Sequence, residues 1–163
     1  AQGDKKVFSY CERMGAKIGH GAELTVGPTG GRLRGCSIDM NETPDALPAM
    51  AVAAALADGE TRLVNVPQAR VKETDRIAVM NAELTRMGAD IEELPDGMII
   101  RGGRLHGAQV HSHADHRIAM ALAVAALAAD GETVIEQAEA ASVTYPGFIR
   151  DFRELGADFT VME

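Results

Sequence analysis

The feature that most constrains the fold of this chain is an internal repeat. The segment PDALPAMAVAAALADGET at residues 44–61 matches ADHRIAMALAVAALAADGET at residues 114–133, which is two residues longer. The tetrapeptide RMGA occurs at residues 13–16 and 86–89, and the related ELGA occurs at residues 154–157. A period of roughly 70 residues is too long for the common short solenoid repeats, so it predicts a duplicated supersecondary unit.

Each repeat predicts two kinds of helix, and strands follow both. Residues 46–57 and 118–129 are rich in Ala, Val, Leu and Met on every side, which is typical of a helix enclosed by protein. Asp-Gly-Glu-Thr follows each of these segments and leads into a strand, with Gly59 and Gly131 as helix stops. The sequence therefore predicts an α/β (α+β) fold made of repeated units.

The second kind of helix is amphipathic, because apolar residues recur every three or four positions. Its apolar face covers a core, and its other face is predicted to meet solvent. In the middle repeat the apolar face carries Ile77, Met80, Leu84 and Met87, and the polar face carries Asp75, Arg76, Glu83 and Arg86. The corresponding apolar positions are Phe8, Cys11 and Met14 near the start of the chain, and Phe148, Phe152 and Leu155 near its end.

The repeat also predicts how much of the fold the chain contains. The chain starts in the second helix of one unit and ends just after the second helix of another. An enclosed helix needs partners on all sides, so each unit depends on its neighbours for burial. We therefore expect residues 1–163 to form a single lobe cut from a larger repeated protein, and the lack of an initiating Met at Ala1 agrees with this.

The charge and cysteine content limit the classes of partner. The formal net charge of −8 argues against a nucleic-acid or membrane-surface partner, because phosphate-rich polymers are bound through a surplus of Lys and Arg. Any anion bound here must be small and met by a local cluster of cations. Cys11 and Cys36 have no paired spacing, so we expect a reduced, cytoplasmic protein. No apolar run approaches the ~20 residues that span a bilayer, and no basic leader is present.

Three charged junctions precede predicted helices, and the first is QARVKETDRIA. Arg70, Lys72 and Arg76 crowd a helix N-terminus whose dipole repels cations, which favours a bound anion there. The alternative is a solvated charge cluster in which Thr74 caps the helix. Glu73, next to a lysine, is a candidate proton carrier.

The second junction is NETPDALPAM, which contains Asp45. A structural cap is the stronger interpretation, because Asp is a preferred cap, Pro44 enforces an extended approach and Pro48 fits the first turn. The repeat nevertheless matches Asp45 with Asp115. Asp45 is therefore predicted to lie at the same kind of helix N-terminus as the third junction.

The third junction, HSHADHRIAMAL, supports two interpretations. His111, His113, Asp115 and His116 are similar to the His-x-His-x-Asp-His motif of metallo-β-lactamase-type hydrolases, and such ligands suit zinc. However, no histidine follows His116 to complete a two-metal site, and Arg117 would place a cation beside the metal. We favour a second anion-directed cluster without metal.

In that second interpretation Asp115 caps the helix, and His116 and Arg117 stand at its N-terminus. The planar guanidinium of Arg117 suits a carboxylate or a phosphate. His111 and His113 are then incidental surface residues.

Four motifs, taken together, resemble the C-terminal part of the 5-enolpyruvylshikimate-3-phosphate synthase family. They occur in the family's order over nearly the whole chain, with Met-Gly-Ala or a close variant between them. Each motif alone is modest evidence, but the ordered set is highly specific. The motifs are MNETPDALPAMA (residues 40–51), RVKETDRI (70–77), DHRIAMAL (115–122) and TYPGF (144–148).

The resemblance implies a fold and a reaction. The family has two similar lobes of βαβαββ units with helices buried inside and sheets outside, and this chain would be one lobe, incomplete at its N-terminal end. The family transfers the enolpyruvyl group of phosphoenolpyruvate to the 5-hydroxyl of shikimate 3-phosphate and releases phosphate, through a tetrahedral intermediate. No cofactor is implied. The implied partners are these two substrates and the other, N-terminal lobe, without which we expect no useful turnover.

The resemblance also implies roles for individual residues. Asp45 matches the carboxylate at the shikimate hydroxyl, a candidate base. Glu73 matches the carboxylate near the phosphoenolpyruvate methylene, a candidate proton donor. Lys72 matches a lysine near the shikimate ring.

The remaining implied contacts concern the anionic groups of the substrates. Arg76 and Arg117 match arginines that hold phosphoenolpyruvate, and His116 matches a histidine that lines the same pocket. Two residues depart from the pattern of some members. Gln68 stands where an Asn contacts the shikimate phosphate, and Val143 stands where a lysine binds phosphoenolpyruvate.

Three other functions stay open at this point. UDP-N-acetylglucosamine enolpyruvyl transferase is the nearest alternative, but DHR in place of Asp-Leu-Arg and the lysine of RVKETDR favour the shikimate enzyme. The metallohydrolase needs stoichiometric zinc. The third is a folded module without catalytic activity.

Overall fold

A computed structural model of the chain describes residues 5–162. It contains five α-helices, eight short strands and three 3-10 helices within these residues. The helices are α1 (Lys6–Arg13), α2 (Leu47–Ala55), α3 (Arg76–Arg86), α4 (His116–Ala126) and α5 (Phe148–Glu154). The strands are β1 (Lys17–His20), β2 (Leu24–Gly27), β3 (Ser37–Asp39), β4 (Glu60–Val64), β5 (Asp90–Leu94), β6 (Gly97–Arg101), β7 (Gln109–His111) and β8 (Val134–Glu136), and the 3-10 helices are Pro44–Ala46, Pro67–Val71 and Ala138–Val143.

The middle of the chain is one complete βαβαββ unit, in the order β3, α2, β4, α3, β5 and β6. Its four strands form a sheet in the order β3-β4-β6-β5. Strand β3 runs parallel to β4, as a strand–helix–strand crossover requires, and the β6 pairings with β4 and β5 are antiparallel.

Parts of two further units flank this one. Before it, α1 leads into the antiparallel pair β1-β2, which corresponds to the last helix and strands of a unit. After it, β7 and β8 are parallel around α4, and α5 follows. The predicted α/β fold of repeated units is therefore confirmed. The assignment of residues 1–163 to a single lobe stays a prediction, and residues 1–4 and 163 lie outside the described residues.

Helix α2 lies in the core, as its composition predicts. Seven of its nine residues are buried, including Leu47, Met50 and Val52. It packs against α3, α4 and strands β4 and β6. Because its residues are mostly alanine, these neighbours can approach closely.

Helix α4 is less completely enclosed than α2. Ile118 and Leu122 are fully buried, but a stripe of Met120, Val124 and Leu127 is half-buried or exposed. Both apolar helices also differ from their predicted spans. Each begins or ends two or three residues away from the predicted position, and Gly59 and Gly131 take positive φ in the turn after the helix rather than at its end.

The predicted apolar face of α3 is confirmed, because Ile77, Met80, Leu84 and Met87 are all fully buried. The prediction that its other face meets solvent is wrong for two residues. Arg76 is 1% exposed and Glu83 is 3% exposed, and both make ion pairs with neighbouring elements.

The two outer amphipathic helices also depart from the predicted pattern. Tyr10 in α1 and Met14 directly after it are buried, whereas Phe8 is only half-buried. Near α5, Phe148 is buried but Leu155 is 83% exposed, so the prediction for Leu155 is wrong. Within residues 5–162, no helix has the length and apolar character needed to cross a membrane.

Candidate functional site

The three charged junctions meet because three helices pack together. Helices α2, α3 and α4 contact one another, and each is preceded by one of the junctions. Asp45 lies in the 3-10 helix before α2, Lys72 and Glu73 lie just before α3, and Asp115 directly precedes α4. Their side chains form one charge network, which consists of Asp45, Lys72, Glu73, Arg76, Asp115 and Arg117.

Arg76 is the centre of this charge network. Its Nη1 lies 2.8 Å from Asp45 Oδ1, its Nη2 lies 2.6 Å from Glu73 Oε2, and its Nε lies 2.8 Å from Asp115 Oδ2. A guanidinium buried to this degree is stable only when its charge is paired and its N–H groups are hydrogen-bonded. Three carboxylates from three junctions meet that requirement, so Arg76 ties the junctions together.

Asp115 links α3 to α4. Its Oδ1 accepts hydrogen bonds from the backbone N–H of Arg117 at 2.8 Å and of Ile118 at 3.4 Å, so the predicted helix cap is confirmed. Its Oδ2 accepts from Arg76 and, at 3.3 Å, from the Thr74 hydroxyl. The residue is fully buried. Burial alone would raise the pKa of the Asp115 carboxyl, but the donors from Arg76 and the helix backbone outweigh this and hold the pKa below 3.8.

Sequence reasoning did not include Asp115 among the site residues. It was interpreted only as a cap, because a cap accounts for an aspartate at this position. The available signal was its match to Asp45 in the repeat, combined with the neighbouring cations.

Asp45 is not a helix cap, so the structural interpretation favoured for it is wrong. The residue at the cap position of α2 is Ala46, which makes no side-chain cap. The Asp45 carboxylate instead lies 3.1 Å from Lys72 Nζ, 2.8 Å from Arg76 Nη1 and 3.7 Å from Arg117 Nη2. Partial burial would raise the pKa of the Asp45 carboxyl, but the hydrogen bond from Lys72 and the charges of Arg117 and Arg76 lower it below 3.8.

The open side of the network carries two cations and one exposed carboxylate. Lys72 and Arg117 are partly exposed, and Arg117 approaches Asp45 only at long distances, with Nη1 3.4 Å from its carbonyl oxygen. Glu73 is 51% exposed at the side chain. His116 is the first residue of α4 and is half-buried beside Arg117. These side chains can meet a small anion while Arg76 and Asp115 form the floor beneath them.

Gln68 of the predicted site lies outside the charge network, and so does Val143, which stands at the position of the family's lysine. Gln68, in the 3-10 helix Pro67–Val71, donates from Nε2 to Asn41 Oδ1 at 2.6 Å, and its own Oε1 is buried without a hydrogen-bond partner among the described residues. Val143 ends the 3-10 helix Ala138–Val143 and is 76% exposed. Gln68 is thus positioned by a neighbour, whereas Val143 contributes an apolar side chain only.

Arg70 does not belong to the cluster of cations predicted for an anion. Its guanidinium pairs with Asp75 and Glu93, each at 2.8 Å, and donates to the backbone carbonyls of Leu94 and Pro95. Asp75, and not Thr74, caps α3, because its Oδ1 accepts from the N–H of Ala78. Arg70 therefore anchors the start of α3 to the end of β5.

His113 is exposed, as predicted, but His111 is half-buried, and both make contacts within the fold that the sequence does not predict. His113 Nε2 lies 3.0 Å from Oε1 of the buried Glu83, and the N–H of His111 donates to Glu83 Oε2 at 3.1 Å. The N–H of His113 donates to His111 Nδ1 at 2.7 Å. Within residues 5–162, no three side chains of the metal-ligating types come together. Both histidines therefore serve contacts within the fold, and the absence of a metal requirement stays a prediction.

The arrangement combines the two kinds of group that addition and elimination on a phosphorylated substrate need. Lys72, Arg76 and Arg117 supply positive charge for anionic groups. Asp45 and Glu73 supply carboxylates that can exchange protons with a bound molecule. The formal charges of the three cations and the three carboxylates sum to zero.

Comparison with known proteins identifies the family of this chain. The model of the EPSP synthase (3-phosphoshikimate 1-carboxyvinyltransferase) family matches residues 1–152. The 3-phosphoshikimate 1-carboxyvinyltransferase of Ruminiclostridium cellulolyticum is 59% identical over 155 residues, covering 95% of this chain and 36% of the relative. That of Acetivibrio thermocellus is 55% identical over 163 residues, covering 99% of this chain and 38% of the relative. The chain thus spans somewhat more than a third of these relatives.

Solved structures show the same fold. The EPSP synthase of Acinetobacter baumannii superposes with a TM-score of 0.81 at 32% identity, covering 91% of this chain and 38% of that one. The enolpyruvyl transferase NikO of Streptomyces tendae has a TM-score of 0.79 at 24% identity and covers 94% of this chain and 35% of its own, which supports the fold alone. Because the family model matches this chain from residue 1 to residue 152, the chain belongs to the EPSP synthase family.

Proposed function

We propose that this chain supplies part of an enzyme that transfers the enolpyruvyl group of phosphoenolpyruvate to the 5-hydroxyl of shikimate 3-phosphate. The observation that carries the proposal is the charge network. Five of the seven residues predicted for the site belong to it, and Asp115 completes it. Its combination of open cations and carboxylates suits two phosphorylated, carboxylate-bearing substrates.

The reaction requires two proton transfers in its first half. The substrate 5-oxygen bonds to C2 of phosphoenolpyruvate, its proton leaves to a base, and another proton is added to the C3 methylene. We assign Asp45 as the base and Glu73 as the proton donor. In the second half C3 loses a proton, phosphate leaves, and the carbon–carbon double bond re-forms. Groups that both give and accept protons are needed for this sequence.

The lowered pKa of Asp45 bears on its role as a base. A carboxylate held by Lys72, Arg76 and Arg117 is a weak proton acceptor. Phosphate and carboxylate groups of bound substrates would compete for the same cations. Substrate binding would thereby weaken the ion pairs of Asp45 with these cations and raise the affinity of its carboxylate for the hydroxyl proton.

The arginines differ in how readily they can meet phosphoenolpyruvate. Arg117 is partly exposed and weakly paired, so we assign it the first contact with the anionic substrate. Arg76 already binds Glu73 through Nη2, so a substrate carboxylate must displace the more exposed Glu73 before it reaches that atom. The displaced Glu73 would then be free to face the methylene carbon.

The other predicted residues take supporting roles. Lys72 would meet the shikimate ring, and His116 would line the phosphoenolpyruvate pocket beside Arg117. Gln68 would donate to the shikimate phosphate in place of Asn. We propose no contact for Val143, because its side chain cannot replace the charge of a lysine.

The cytoplasmic location predicted from the cysteine content stays a prediction.

The test is an assay of phosphate released from phosphoenolpyruvate and shikimate 3-phosphate. The chain would be joined to the part of the Ruminiclostridium cellulolyticum relative that it does not match, a chimera called here the completed enzyme. We expect phosphate release by the completed enzyme and none by the 163-residue chain alone. A completed enzyme that folds but releases no phosphate would contradict the proposal, and rapid turnover by the chain alone would contradict the need for the other lobe.

The alternative acceptor is tested in the same assay. UDP-N-acetylglucosamine should not replace shikimate 3-phosphate, because the lysine of RVKETDR and the DHR sequence favour the shikimate enzyme. Release of phosphate with the UDP-sugar would favour the sister activity. Stoichiometric zinc in the purified chain, bound through His111, His113 and His116, would revive the metallohydrolase.

A further inference from the structure

The amphipathic helices α1 and α3 each send one polar side chain into the following strand–helix junction. In both helices this residue precedes the Met of Met-Gly-Ala by four positions, Tyr10 in α1 and Glu83 in α3. The Tyr10 hydroxyl donates to the carbonyl of Asp39 and accepts from the Thr43 hydroxyl, both at 3.2 Å. Asp39 ends β3, and Thr43 lies between β3 and α2. Tyr10 thus contacts the segment before α2, and Glu83 contacts the segment before α4.

Glu83 is a buried carboxylate surrounded by donors. It receives the N–H of His111 and the ring of His113, and Arg86 Nε lies 3.5 Å from its Oε2. Glu136 on β8 lies on the other side of His111, with its Oε2 4.0 Å from His111 Nε2. The carboxylate itself is 3% exposed, whereas the side chains of Arg86 and His113 are 64% and 41% exposed. Burial of the acid makes its hydrogen bonds necessary, because a buried carboxylate without donors would be costly.

The segment that Glu83 holds has an unfavourable backbone conformation. His113 and Ala114 take φ values of 54° and 57°, in the left-handed region that side chains other than glycine rarely adopt. We call residues 112–114 the left-handed turn. Ser112 is fully buried, and its hydroxyl donates to the carbonyl of Gln137 and accepts from the N–H of Ala114. Such a turn persists only where the surrounding contacts fix it.

The left-handed turn determines where Asp115 lies. The N–H of Asp115 donates to the carbonyl of Ser112 at 3.0 Å, so the turn leads directly into the aspartate that binds Arg76. Arg76 and Glu83 are seven residues apart on α3 and therefore face the same side of the helix. Helix α3 thus contacts the segment before α4 at both ends, through Glu83 at His111 and through Arg76 at Asp115.

We infer that Glu83 is a positioning residue, whose carboxylate holds the left-handed turn in the conformation that brings Asp115 to Arg76 and Arg117 to the open side of the site. The contacts and backbone angles support this placement independently of the reaction. Only its consequence for turnover rests on the proposed function.

The first test measures amide hydrogen exchange in the chain. Glu83→Leu keeps a similar volume but removes both acceptors, so we expect about tenfold faster exchange of the amides in residues 111–118. Tyr10→Phe is the matched control, because it removes the equivalent contact from the other junction. It should speed exchange in residues 40–47 and leave residues 111–118 unchanged. Unchanged exchange of residues 111–118 in Glu83→Leu would overturn the inference.

A second variant separates positioning from general stability. Glycine adopts positive φ without strain, so Ala114→Gly lowers the cost of the left-handed turn. Added to Glu83→Leu, it should restore slow exchange in residues 111–118, and it should restore folding if Glu83→Leu alone fails to fold. A double variant that exchanges as fast as Glu83→Leu, or stays unfolded, would overturn the inference.

The last measurement concerns turnover in the completed enzyme. Glu83→Leu should lower kcat about tenfold, and addition of Ala114→Gly should recover most of this loss. An active completed enzyme whose kcat is insensitive to Glu83→Leu would overturn the consequence for turnover. A completed enzyme without any activity would refute the proposed function, while the exchange measurements would still decide the role of Glu83.

Discussion

The junctions before α2 and α4 occupy equivalent positions in the repeat, yet their aspartates differ. Asp115 is fully buried, caps its helix and holds the Nε of Arg76. Asp45 is partly exposed, caps nothing and faces three cations. The backbone around the two aspartates also differs, because Asp45 lies in a 3-10 helix that begins at Pro44, whereas Asp115 follows the left-handed turn.

This difference shows how one repeated position can serve two purposes. A carboxylate whose oxygens are all engaged by buried donors stabilises the fold and cannot approach a substrate. A carboxylate at the edge of the network, held by side chains that a substrate also attracts, can exchange protons. The two aspartates can therefore be distinguished by experiment.

The largest expected effect is on stability and concerns Asp115. Asp115→Ala should lower the free energy of unfolding by about 3–5 kcal/mol, because it leaves the buried Arg76 without a partner at Nε and removes the cap of α4. Urea denaturation followed by circular dichroism measures this. Asp45→Ala is the control and should cost about 1 kcal/mol. Equal losses at the two positions would show that the aspartates are not divided in this way.

For catalysis, Asp45 is expected to matter more than Asp115. Asp45→Asn in the completed enzyme should lower kcat by about 10²–10⁴-fold, the usual contribution of a general base. The rate of phosphate release measures it. Asp39→Asn is the control, because this exposed carboxylate binds Asn65 and the N–H of Asn41 outside the charge network. Retention of full kcat by Asp45→Asn would refute its assignment as the base.

A smaller effect is expected for Arg117, a partly exposed cation of the network. Arg117→Lys should raise the KM for phosphoenolpyruvate about tenfold, because a lysine keeps the charge but loses the planar fork that binds a carboxylate or phosphate. Initial rates at varied phosphoenolpyruvate concentration measure this. Arg70→Lys should lower stability without changing that KM, since Arg70 binds Asp75 and Glu93 away from the site. The same change in KM for both variants would argue against a specific role for Arg117.

The smallest effect is on the acid side of the stability profile. Burial opposes ionisation of Asp115, but Arg76 and the α4 backbone lower its pKa below 3.8 in the folded chain. A lowered folded-state pKa stabilises the fold above pH 3.8, and this contribution is lost as the pH falls towards the folded-state value. Unfolding free energies measured from pH 6 to pH 2.5 should therefore fall by up to about 1.4 kcal/mol per pH unit for this group. A profile for Asp115→Asn as steep as that of the unmodified chain would contradict this.

The sequence predicts the order of elements well, because the repeat and the apolar periodicity report local structure. The enclosed α2 and the buried face of α3 follow directly from composition and spacing. Helix ends are less accurate, since the 3-10 helix Pro44–Ala46 is set by packing and the two Gly turns lie beyond the helices. Leu155 was misplaced because periodicity does not reveal which faces find a neighbour.

The site is only partly predictable for a related reason. Motifs identified the charged residues, but ion pairing between junctions depends on contacts separated by dozens of residues. Arg70 and Arg76 look alike in RVKETDR, yet one anchors β5 and the other is the centre of the network. The sequence predicts Glu83 on the polar, solvent-facing side of an amphipathic helix, where an acid usually lies. Its burial depends instead on the histidines before α4.

The burial of Arg76 determines how its ion pairs respond to ionic strength. Dissolved ions screen charges that water can reach, with a Debye length of about 8 Å at physiological salt, but they act much less on a pair that is shut away from water. Added salt should therefore weaken the attraction of Lys72 and Arg117 for a small anion while it leaves the pairs of Arg76 largely intact. Salt concentration thus provides a way to vary anion binding at this site while the framework that holds it is preserved.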